Sequence, residues 1–407
     1  MTTVFQNSLP TTILTKTRIE SIDVLRGLVM VIMALDHTRD LFHSAAWIDD
    51  PLNLDTTTPV LFFTRWITHF CAPIFVFLSG TSIYLQGLRK SPAELGSFLL
   101  KRGLWLVVAE VLLVSPGFSF LPYNFILLQV IWVIGISMVL MAGLIRLPFR
   151  AVFGIGLVIV LGHNALDFIE QSSGFSADFW WIFLHGGGNP IFRYAENRVV
   201  LIAYPFLPWV GLMMLGYCLG RLFTPDFPAL KRRQWLLALG AGALVLFGML
   251  RFANVYGDPF PWSIQKDGLT TFLSFLKVQK YPPSLLYMCV TVGPGLLALG
   301  FLENRRNSVT NILKTYGRTA FFYYLIHWYA LHMLRMIFFF ASGHTMAEAT
   351  KTVKTIPMLF VLPGDGGYSL GMVYVIWLLV VAALYPLCRW YDAYKTSHKE
   401  QWWLSYL

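Results

Sequence analysis

Apolar segments of membrane-spanning length account for most of this 407-residue chain. A helix needs about 20 mostly apolar residues to cross the hydrocarbon core of a bilayer. Only 13% of the residues are charged, whereas a soluble domain carries roughly 25%. These features exclude a soluble fold and predict an all-α polytopic protein embedded in the lipid bilayer. Ten segments satisfy the length requirement: 20–42, 60–87, 96–115, 124–145, 149–168, 201–221, 234–253, 282–303, 312–340 and 368–392.

The connections between these segments alternate in charge. Lysines and arginines cluster in every second connection, and the positive-inside rule places those connections in the cytoplasm. Both termini are then cytoplasmic. We expect one transmembrane domain, 1–407, with a polar segment at 1–17 and a tail at 393–407. The net charge of +10 follows from this topology and does not indicate nucleic acid as a partner. The cytoplasmic clusters are Lys16 and Arg18; Arg89, Lys90, Lys101 and Arg102; Arg146 and Arg150; Arg221, Lys231, Arg232 and Arg233; Arg305, Arg306, Lys314 and Arg318; Arg389, Lys395 and Lys399.

The other connections are longer, and we expect them to face outward. Long loops in a compact protein are usually functional or disordered, and aromatic-rich loops favour function. A saccharide would stack on exposed aromatic rings, although tryptophan also marks the membrane interface. These loops lie at about 43–59, 169–200, 254–281 and 341–367, and they carry Trp180, Trp181, Gly186–Gly188, Trp262 and Gly364–Gly367.

The first apolar segment contains six ionisable side chains within eighteen residues. Such groups cost several kcal/mol in a spanning helix unless they face a polar interior, so they indicate a functional site. At 100° per residue, Arg26 and His37 lie about 20° apart around the helix, with Asp23 and Asp40 on either side. Arg39 points away from this stripe. The six residues are Asp23, Arg26, Asp36, His37, Arg39 and Asp40.

Depth divides the stripe into two zones. Asp23 and Arg26 are placed near the cytoplasmic face, and His37 lies about 21 Å further out at 1.5 Å per residue. Asp40 is one turn beyond His37, where a carboxylate can orient the imidazole. The alternative role for Asp23 and Arg26 is an interfacial ion pair that anchors the helix. For His37 the alternative is a hydrogen-bonded interior histidine.

The pattern R-x-x-S-I-D-x-L-R-G-x9-H from Arg18 to His37 resembles the first helix of the heparan-α-glucosaminide N-acetyltransferase catalytic-domain family. That family belongs to a wider group of transmembrane acyltransferases that includes the acyltransferase-3 proteins, whose Arg-x10-His spacing Arg26 and His37 match. Further stretches are similar to later helices of the family: FCAPIFVFLSG at 70–80, KYPPSLLY at 280–287, GRT at 317–319 and FYYLIH at 322–327.

The resemblance implies acyl transfer across a membrane. Acetyl-CoA would bind from the cytoplasm, and the acetyl group would pass to an outward-facing acceptor such as a cell-envelope glycan. The similarity to bacterial members implies a bacterial plasma membrane. In this family a histidine near the outer end of helix 1 is the key catalytic group. His37 matches the acyltransferase-3 spacing, while His43 resembles the histidine of a His-Ser-Ser-Trp stretch in the heparan enzyme. We expect His37 to be catalytic, with His43 as the second candidate.

The chemistry needs a general base and donors for the oxyanion. His37 with Asp40 or Asp36 would supply the base; alternatively His37 itself takes the acetyl group and passes it on. His327 and His332 are five residues apart, which is not the i,i+4 spacing of metal ligands on a helix, so we expect no metal site.

The phosphates of CoA require basic groups on the cytoplasmic side. We assign Arg26 with Asp23, Arg318 and Arg102 as candidates. Arg26 and Arg318 adjoin Gly27 and Gly317, where a backbone can approach a ligand closely. Alternatively, the basic clusters only mark the cytoplasmic side of the membrane and bind no ligand. Candidate acceptor-binding residues are Arg65, His69, Lys280, Tyr281 and His327.

Two other classes of protein fit parts of the pattern. In a transporter or flippase, the stripe on helix 1 would relay protons or substrate. Paired broken helices in two halves would favour that class, and the Pro and Gly interruptions show no such pairing. A structural or sensory protein would use its long loops as a binding surface. A homodimer is compatible with all three readings.

Overall fold

The computed structural model describes residues 19–121, 123–196, 198–353, 358–362 and 367–405. Two stretches named above lie outside the described residues. They are 1–18, which includes Lys16 and Arg18, and Gly364–Gly366. The helices are α1 Glu20–Phe42, α2 Pro59–Ile67, α3 Cys71–Gly87, α4 Pro92–Ala109, α5 Ser115–Ser119, α6 Val130–Leu144, α7 Phe149–Gly162, α8 Ala165–Glu170, α9 Phe179–Leu184, α10 Phe206–Leu219, α11 Ala229–Ala253, α12 Gly268–Leu276, α13 Leu285–Leu302, α14 Ser308–Arg318, α15 Ala320–Ala341, α16 Met346–Thr352 and α17 Leu370–Ser397; the strands are β1 Phe125–Leu128, β2 Ile191–Ala195 and β3 Arg198–Ile202.

The predicted all-α polytopic fold is confirmed. Within the described ranges, seven helical stretches are long and apolar enough to cross a membrane. The first predicted segment is also a helix, α1, but it carries more charge than those seven. They are Pro59–Gly87, Phe149–Glu170, Phe206–Phe223, Ala229–Ala253, Leu285–Leu302, Ala320–Ala341 and Leu370–Ser397.

Three predicted segments differ from the structure in extent. Segment 124–145 begins as strand β1 and becomes helical only at Val130. Segment 312–340 is divided at Thr319 into α14 and α15. The Pro282-Pro283 pair does not start a helix, because α13 begins at Leu285 and the Ser284 side chain accepts from the Tyr287 main-chain N–H as its N-cap. A segment predicted from apolar composition alone therefore continues through positions where the backbone conformation changes.

Helix α1 lies at the centre of the bundle. It packs against α14, α15, α17, α3 and α13. Its apolar side chains are buried around most of the helix; for example, Val29 and Met30 are each 1% exposed. Peripheral helices instead present large apolar side chains outward, as lipid-facing helices do. The charged groups of α1 consequently face protein rather than lipid.

Glycines allow several helix pairs to approach closely. A Cβ on Gly27 would lie 1.8 Å from the main-chain O of Leu313, and a Cβ on Gly317 would lie 1.8 Å from that of Asp23. Gly80 and Gly216 make the same reciprocal contact between α3 and α10. Small residues at such crossings are typical of helix packing in membranes, where backbones gain dispersion contacts.

A small sheet covers the C-terminal end of α1. Its strand order is β1-β3-β2, with β1 and β3 parallel and β2 and β3 antiparallel.

The buried Glu110 carboxylate accepts from the Trp132 main-chain N–H at 2.7 Å and so caps the start of α6. Glu110 belongs to a π-helical turn, Glu110–Val114. One oxygen of this carboxylate is thus bound by a main-chain N–H at the N-terminus of α6, where a negative charge is favourable.

Candidate active site

A cavity of about 640 Å³ lies at the C-terminal end of α1. Asp36, His37 and Asp40 of α1 form one wall. The sheet, the glycine turn Gly186–Gly188, α15, the 280–282 loop and the adjoining ends of α2 and α3 contribute to the other walls. The other residues named below that line the cavity are Arg39, Trp47, Arg65, Thr68, Gln129, Tyr204, Lys280, Tyr281, Tyr324 and Trp328. The cavity therefore combines ionisable groups from α1 and α2 with aromatic side chains from α15 and the loops.

His37 is held by a second histidine from α15. Its Nδ1 lies 2.6 Å from Nε2 of His327, and its ring stacks on Trp328 with centroids 3.9 Å apart. His327 is fully buried, and its Nδ1 lies 3.1 Å from the main-chain O of Tyr323. A carbonyl oxygen only accepts, so in the neutral ring Nδ1 of His327 carries the proton and Nε2 accepts. His37 must then donate from Nδ1, which leaves its Nε2 lone pair to take a proton.

The carboxylates beside His37 are bound by arginines. Asp36 accepts from Arg39 at 3.0 Å and also from Arg65, while Arg39 donates to Asp40 at 2.5 Å. Arg39 is buried, at 6% exposure, and does not point away from the stripe as predicted. Each carboxylate is held by the strong attraction of a guanidinium, and the expectation that Asp40 or Asp36 orients His37 stays a prediction.

Arg65 reaches this network because of how α2 is built. Thr58 accepts from the Leu61 main-chain N–H and Pro59 occupies the first turn, so α2 starts at a defined residue. A short 3-10 turn, Thr68–Phe70, then separates α2 from α3. Arg65 lies on the side of α2 that faces α1, where its guanidinium meets Asp36.

Lys280 and Tyr281 lie in the cavity wall on a loop that a buried arginine holds in place by hydrogen bonds. The Arg251 guanidinium, at 2% exposure, donates to the main-chain O atoms of Phe260 at 2.9 Å and Phe275 at 3.0 Å. It also donates to the main-chain O atoms of Ser274 and Lys277. Lys280 Nζ lies 5.1 Å from the centroid of the Tyr281 ring.

Asp258 fastens the other end of the same loop. Its carboxylate accepts from the Gln279 main-chain N–H at 2.8 Å and from Ser284 Oγ at 2.7 Å. Burial raises the pKa of Asp258, and these hydrogen bonds together with the charge of Arg251 oppose that rise. The loop is therefore fixed on both sides of Lys280.

The glycine turn of the cavity rests on a chain of polar side chains. Glu170 Oε1 accepts from Trp181 Nε1 and lies 2.7 Å from His185 Nδ1. His185 Nε2 lies 3.3 Å from Nδ1 of His163. A Cβ on Gly187, whose φ is +72°, would lie 2.3 Å from the Glu170 side chain, so only glycine fits there. Sequence reasoning did not identify this series of side-chain contacts.

One group in the described part of the chain has ligand atoms spaced closely enough for a metal ion. Asp167, Glu170 and His185 place such atoms within 4.8 Å of one another. Asp167 already accepts from Asn164 at 2.6 Å, and Glu170 is bonded as above. Existing hydrogen bonds thus use these groups, and the expectation of no metal stays a prediction.

Three predicted histidines lie outside the cavity lining. His43 ends α1, where its Nδ1 accepts from the Ala45 main-chain N–H at 3.3 Å. Partial burial and the nearby Arg39 lower the pKa of His43. His69 is buried, and its main-chain O accepts from the Tyr287 hydroxyl at 2.8 Å. His327 also lies behind the lining rather than in it, in contact with His37.

The predicted donor-binding residues lie elsewhere on the molecule. Arg26 donates to Asp23 at 3.3 Å, to Ser82 Oγ at 3.1 Å and to the Gly317 main-chain O at 3.4 Å. Arg318 pairs with Asp392 at 3.0 Å. The guanidinium of Arg102 lies 6.0 Å from the ring centroid of Phe98. None of Asp23, Arg26, Arg102 and Arg318 lines the cavity.

Gly27 and Gly317 do not leave room for a ligand, contrary to expectation. Each packs against the backbone of the opposite helix, so the close approach that glycine permits is between α1 and α14. The same contact accounts for the short distance from Arg26 to the Gly317 main-chain O. The two zones of α1 thus have different surroundings: one faces a cavity and the other a helix crossing.

Tyr324 and Trp328 are cavity residues that sequence reasoning missed. They are four residues apart on α15, so they share a face of the helix. His327, which was predicted, lies between them. Their i,i+4 spacing around a candidate histidine is the signal that would have identified them.

Comparison with known proteins adds one finding. The sequence model of the family described as "Heparan-alpha-glucosaminide N-acetyltransferase, catalytic" matches residues 18–252, which is more than half of the chain. No curated protein matches the sequence of this chain. The matched region includes α1, Arg65 and the glycine turn.

Proposed function

Because the chain belongs to the heparan-alpha-glucosaminide N-acetyltransferase catalytic family, we propose that it transfers an acetyl group from acetyl-CoA to a saccharide acceptor bound beside His37. The family has a membrane N-acetyltransferase-like function, and the helices of this chain are those of an integral membrane protein. The donor, the acceptor and a bacterial plasma membrane as the location are the parts we propose.

The observation that carries the proposal is the His37–His327 pair at the cavity wall. A general base must present a lone pair to the proton that it removes. The contact of His37 Nδ1 with His327 Nε2 directs the remaining nitrogen of His37 toward this role. His327 in turn is oriented by the Tyr323 main-chain O. Nucleophile activation by an oriented imidazole is the general logic of acyl transfer.

In the proposed reaction, the acceptor amine or hydroxyl attacks the thioester carbonyl carbon. Its proton passes to Nε2 of His37, and the carbonyl electron pair moves to oxygen. The intermediate then re-forms the carbonyl and expels the CoA thiolate, which takes the proton back from His37. The products are the acetylated acceptor and free CoA, so protons and electrons balance.

The acceptor side of the cavity carries groups suited to a saccharide. Tyr281, Tyr204 and Trp47 offer aromatic faces, and Lys280 offers three N–H donors. Asp36 and Asp40 are held in ion pairs and shape the wall without taking the proton. We assign Arg65 to the same network of ion pairs, which fixes the position of this wall.

The donor side uses the opposite end of α1 in this proposal. Arg26, Arg102 and Arg318 are the basic groups that we propose for the phosphates of CoA. Side chains of α1 between Arg26 and His37 are closely packed; Val29 and Met30 are examples. The proposal therefore includes a movement at this packing that admits the acetyl-bearing arm of CoA to His37.

Reconstitution in liposomes tests the function directly. Radiolabelled acetyl-CoA is supplied on one side of the membrane and glucosamine on the other, and both free thiol and acetylated sugar are measured. We expect the two products in equal amounts, and only when both substrates are present. Sugar movement across the membrane without thiol release would overturn the proposal in favour of a transporter.

A chemical readout separates direct transfer from an acyl-enzyme. Protein mixed with acetyl-CoA and no acceptor is quenched within one turnover and digested for mass spectrometry. Direct transfer predicts an unmodified His37 peptide. An acetylated His37 peptide that decays when glucosamine is added would replace the direct route with a covalent one.

A further inference from the structure

Two hydrogen-bond donors beside His37 have no hydrogen-bond partner among the described residues. They are the hydroxyl of Tyr324 and the indole Nε1 of Trp328. Both side chains are almost fully buried, at 2% and 1% exposure, and both residues line the cavity. The indole lies beside the tyrosine hydroxyl without forming a hydrogen bond of normal geometry.

Buried donors without a partner are costly. Leaving one unsatisfied costs about 1–3 kcal/mol, and native structures leave few of them so. Two such donors, one helical turn apart on the same wall, point to an acceptor group that arrives with a ligand. Gln129 Nε2 and Arg39 Nε are two further unpartnered donors in the lining. The Gln129 side chain faces the Glu110 carboxylate, and the Arg39 guanidinium is already bound to Asp36 and Asp40.

The position of the two donors relates them to His37. The Trp328 ring stacks on the His37 ring with centroids 3.9 Å apart. The Tyr324 ring meets His37 edge-on, with centroids 6.5 Å apart. A carbonyl carbon attacked next to His37 would thus place its oxygen within reach of α15. Catalytic hydrogen bonds are often unformed in the free enzyme and form in the complex.

We propose that Tyr324 and Trp328 are catalytic residues that bind the oxyanion of the tetrahedral intermediate. The inference rests on the proposed acetyl transfer. When the acceptor attacks the thioester, the carbonyl π electrons become a lone pair on oxygen, which accepts from the Tyr324 O–H and the Trp328 Nε1–H. When the thiolate leaves, that lone pair re-forms the carbonyl. Neither donor gains or loses a proton.

The test is acetyl transfer by Tyr324→Phe and Trp328→Phe, with each substitution matched to a control. Tyr391→Phe removes another unpartnered hydroxyl, and Trp209→Phe removes another unpartnered indole N–H; neither residue lines the cavity. We expect kcat to fall about 10²–10³-fold in the Tyr324 variant, the range for loss of one oxyanion donor. The KM for glucosamine should change much less, and both controls should stay within about twofold of wild type.

Folding is checked by thermal unfolding of the same preparations. Removing a hydroxyl that makes no hydrogen bond should leave the Tm of Tyr324→Phe unchanged or slightly raised. A folded Tyr324→Phe and a folded Trp328→Phe that both keep wild-type kcat would overturn the inference. Absence of transfer by the wild-type protein would instead overturn the proposed function, so the two failures are distinguishable.

Discussion

At the scale of single residues, His37 presents a basic lone pair at Nε2 only if its Nδ1 is the protonated nitrogen. His327 selects that state, because its own Nδ1 is committed to the Tyr323 main-chain O. The selection depends on a hydrogen bond between two helices rather than on a charge. In the familiar serine-protease arrangement a carboxylate fills this orienting role. Here the nearby carboxylates are occupied by Arg39 and Arg65.

Replacing His327 tests this selection. His327→Ala should lower kcat for acetyl transfer by about 10²-fold or more, since His37 loses the acceptor that fixes its tautomer. His327→Gln keeps a side-chain oxygen that can accept from His37 Nδ1, and it should recover most of the lost rate. Steady-state kinetics with both variants measure this. Equal losses in the two variants would show that His327 is needed for packing and not as a hydrogen-bond acceptor.

Sequence reasoning at this scale works within one helix and fails between helices. The 100° geometry of α1 places His37 and Asp40 on one stripe, and both residues line the cavity. It cannot identify His327, which is 290 residues away in the chain. It also misassigned Arg39, because the helical angle of its Cα does not show that the long side chain turns back to Asp36 and Asp40.

At the scale of helices, the crossing of α1 and α14 leaves no space for a side chain at either glycine. Gly27→Ala would bring a Cβ to 1.8 Å from a main-chain O, so the helices must separate. We expect a loss of about 1–3 kcal/mol or more in the free energy of unfolding. Gly143→Ala on α6 is the control, since nothing lies within 4 Å of its Cβ position, and alanine favours a helix.

Thermal unfolding of detergent-solubilised protein compares the two variants. Gly27→Ala should lower Tm, whereas Gly143→Ala should leave it equal or higher. A Tm for Gly27→Ala at the wild-type value would contradict the close packing of α1 on α14.

Helix α12 should be stabilised by its N-cap in a pH-dependent way. Asp267 accepts from the Thr270 main-chain N–H at 2.7 Å, and this bond and others lower the pKa of Asp267. Because the folded pKa is lowered, the stabilisation is present above the unfolded pKa, near 4, and is lost as pH falls through the folded pKa. Trp66 Nε1 donates to the Leu276 main-chain O at 3.1 Å, so loosening of α12 also reaches α2.

Hydrogen exchange at Thr270 and Thr271 measures this effect against Asp267→Asn. Asparagine also caps helices but does not titrate. The ratio of exchange rates, wild type over variant, should rise as pH is lowered through the range where Asp267 takes up a proton. A ratio independent of pH would mean that the cap carries no charge-dependent stability.

Helix boundaries show where sequence patterns stop being informative. The apolar run 312–340 hides the break at Thr319, which lies two residues after the contact of Gly317 with the backbone of α1. Likewise β1 is as apolar as the helix that follows it, and its partner β3 lies some 70 residues later. Seven long helices were predictable because hydrophobic length is a local property.

At the scale of the whole molecule, orientation decides which substrate reaches which end of α1. The charge pattern predicts cytoplasmic termini and an outward-facing cavity. Alkaline phosphatase is active only where its disulfides form, outside the cytoplasm. A phosphatase fusion after residue 397 should therefore be inactive, and one inserted at Ser172 should be active. The reverse pattern would place the His37 cavity on the cytoplasmic side.

In the proposed transfer, His37 supplies the base and His43 does not. Single-turnover acetyl transfer to glucosamine by wild type, His37→Ala and His43→Ala tests it most directly. We predict that His37→Ala slows the chemical step by about 10²–10⁴-fold, the usual contribution of a general base. We predict that His43→Ala stays within about tenfold of wild type, since His43 does not line the cavity. A folded His37→Ala protein that transfers acetyl at the wild-type rate, with the loss falling on His43→Ala, would contradict the account.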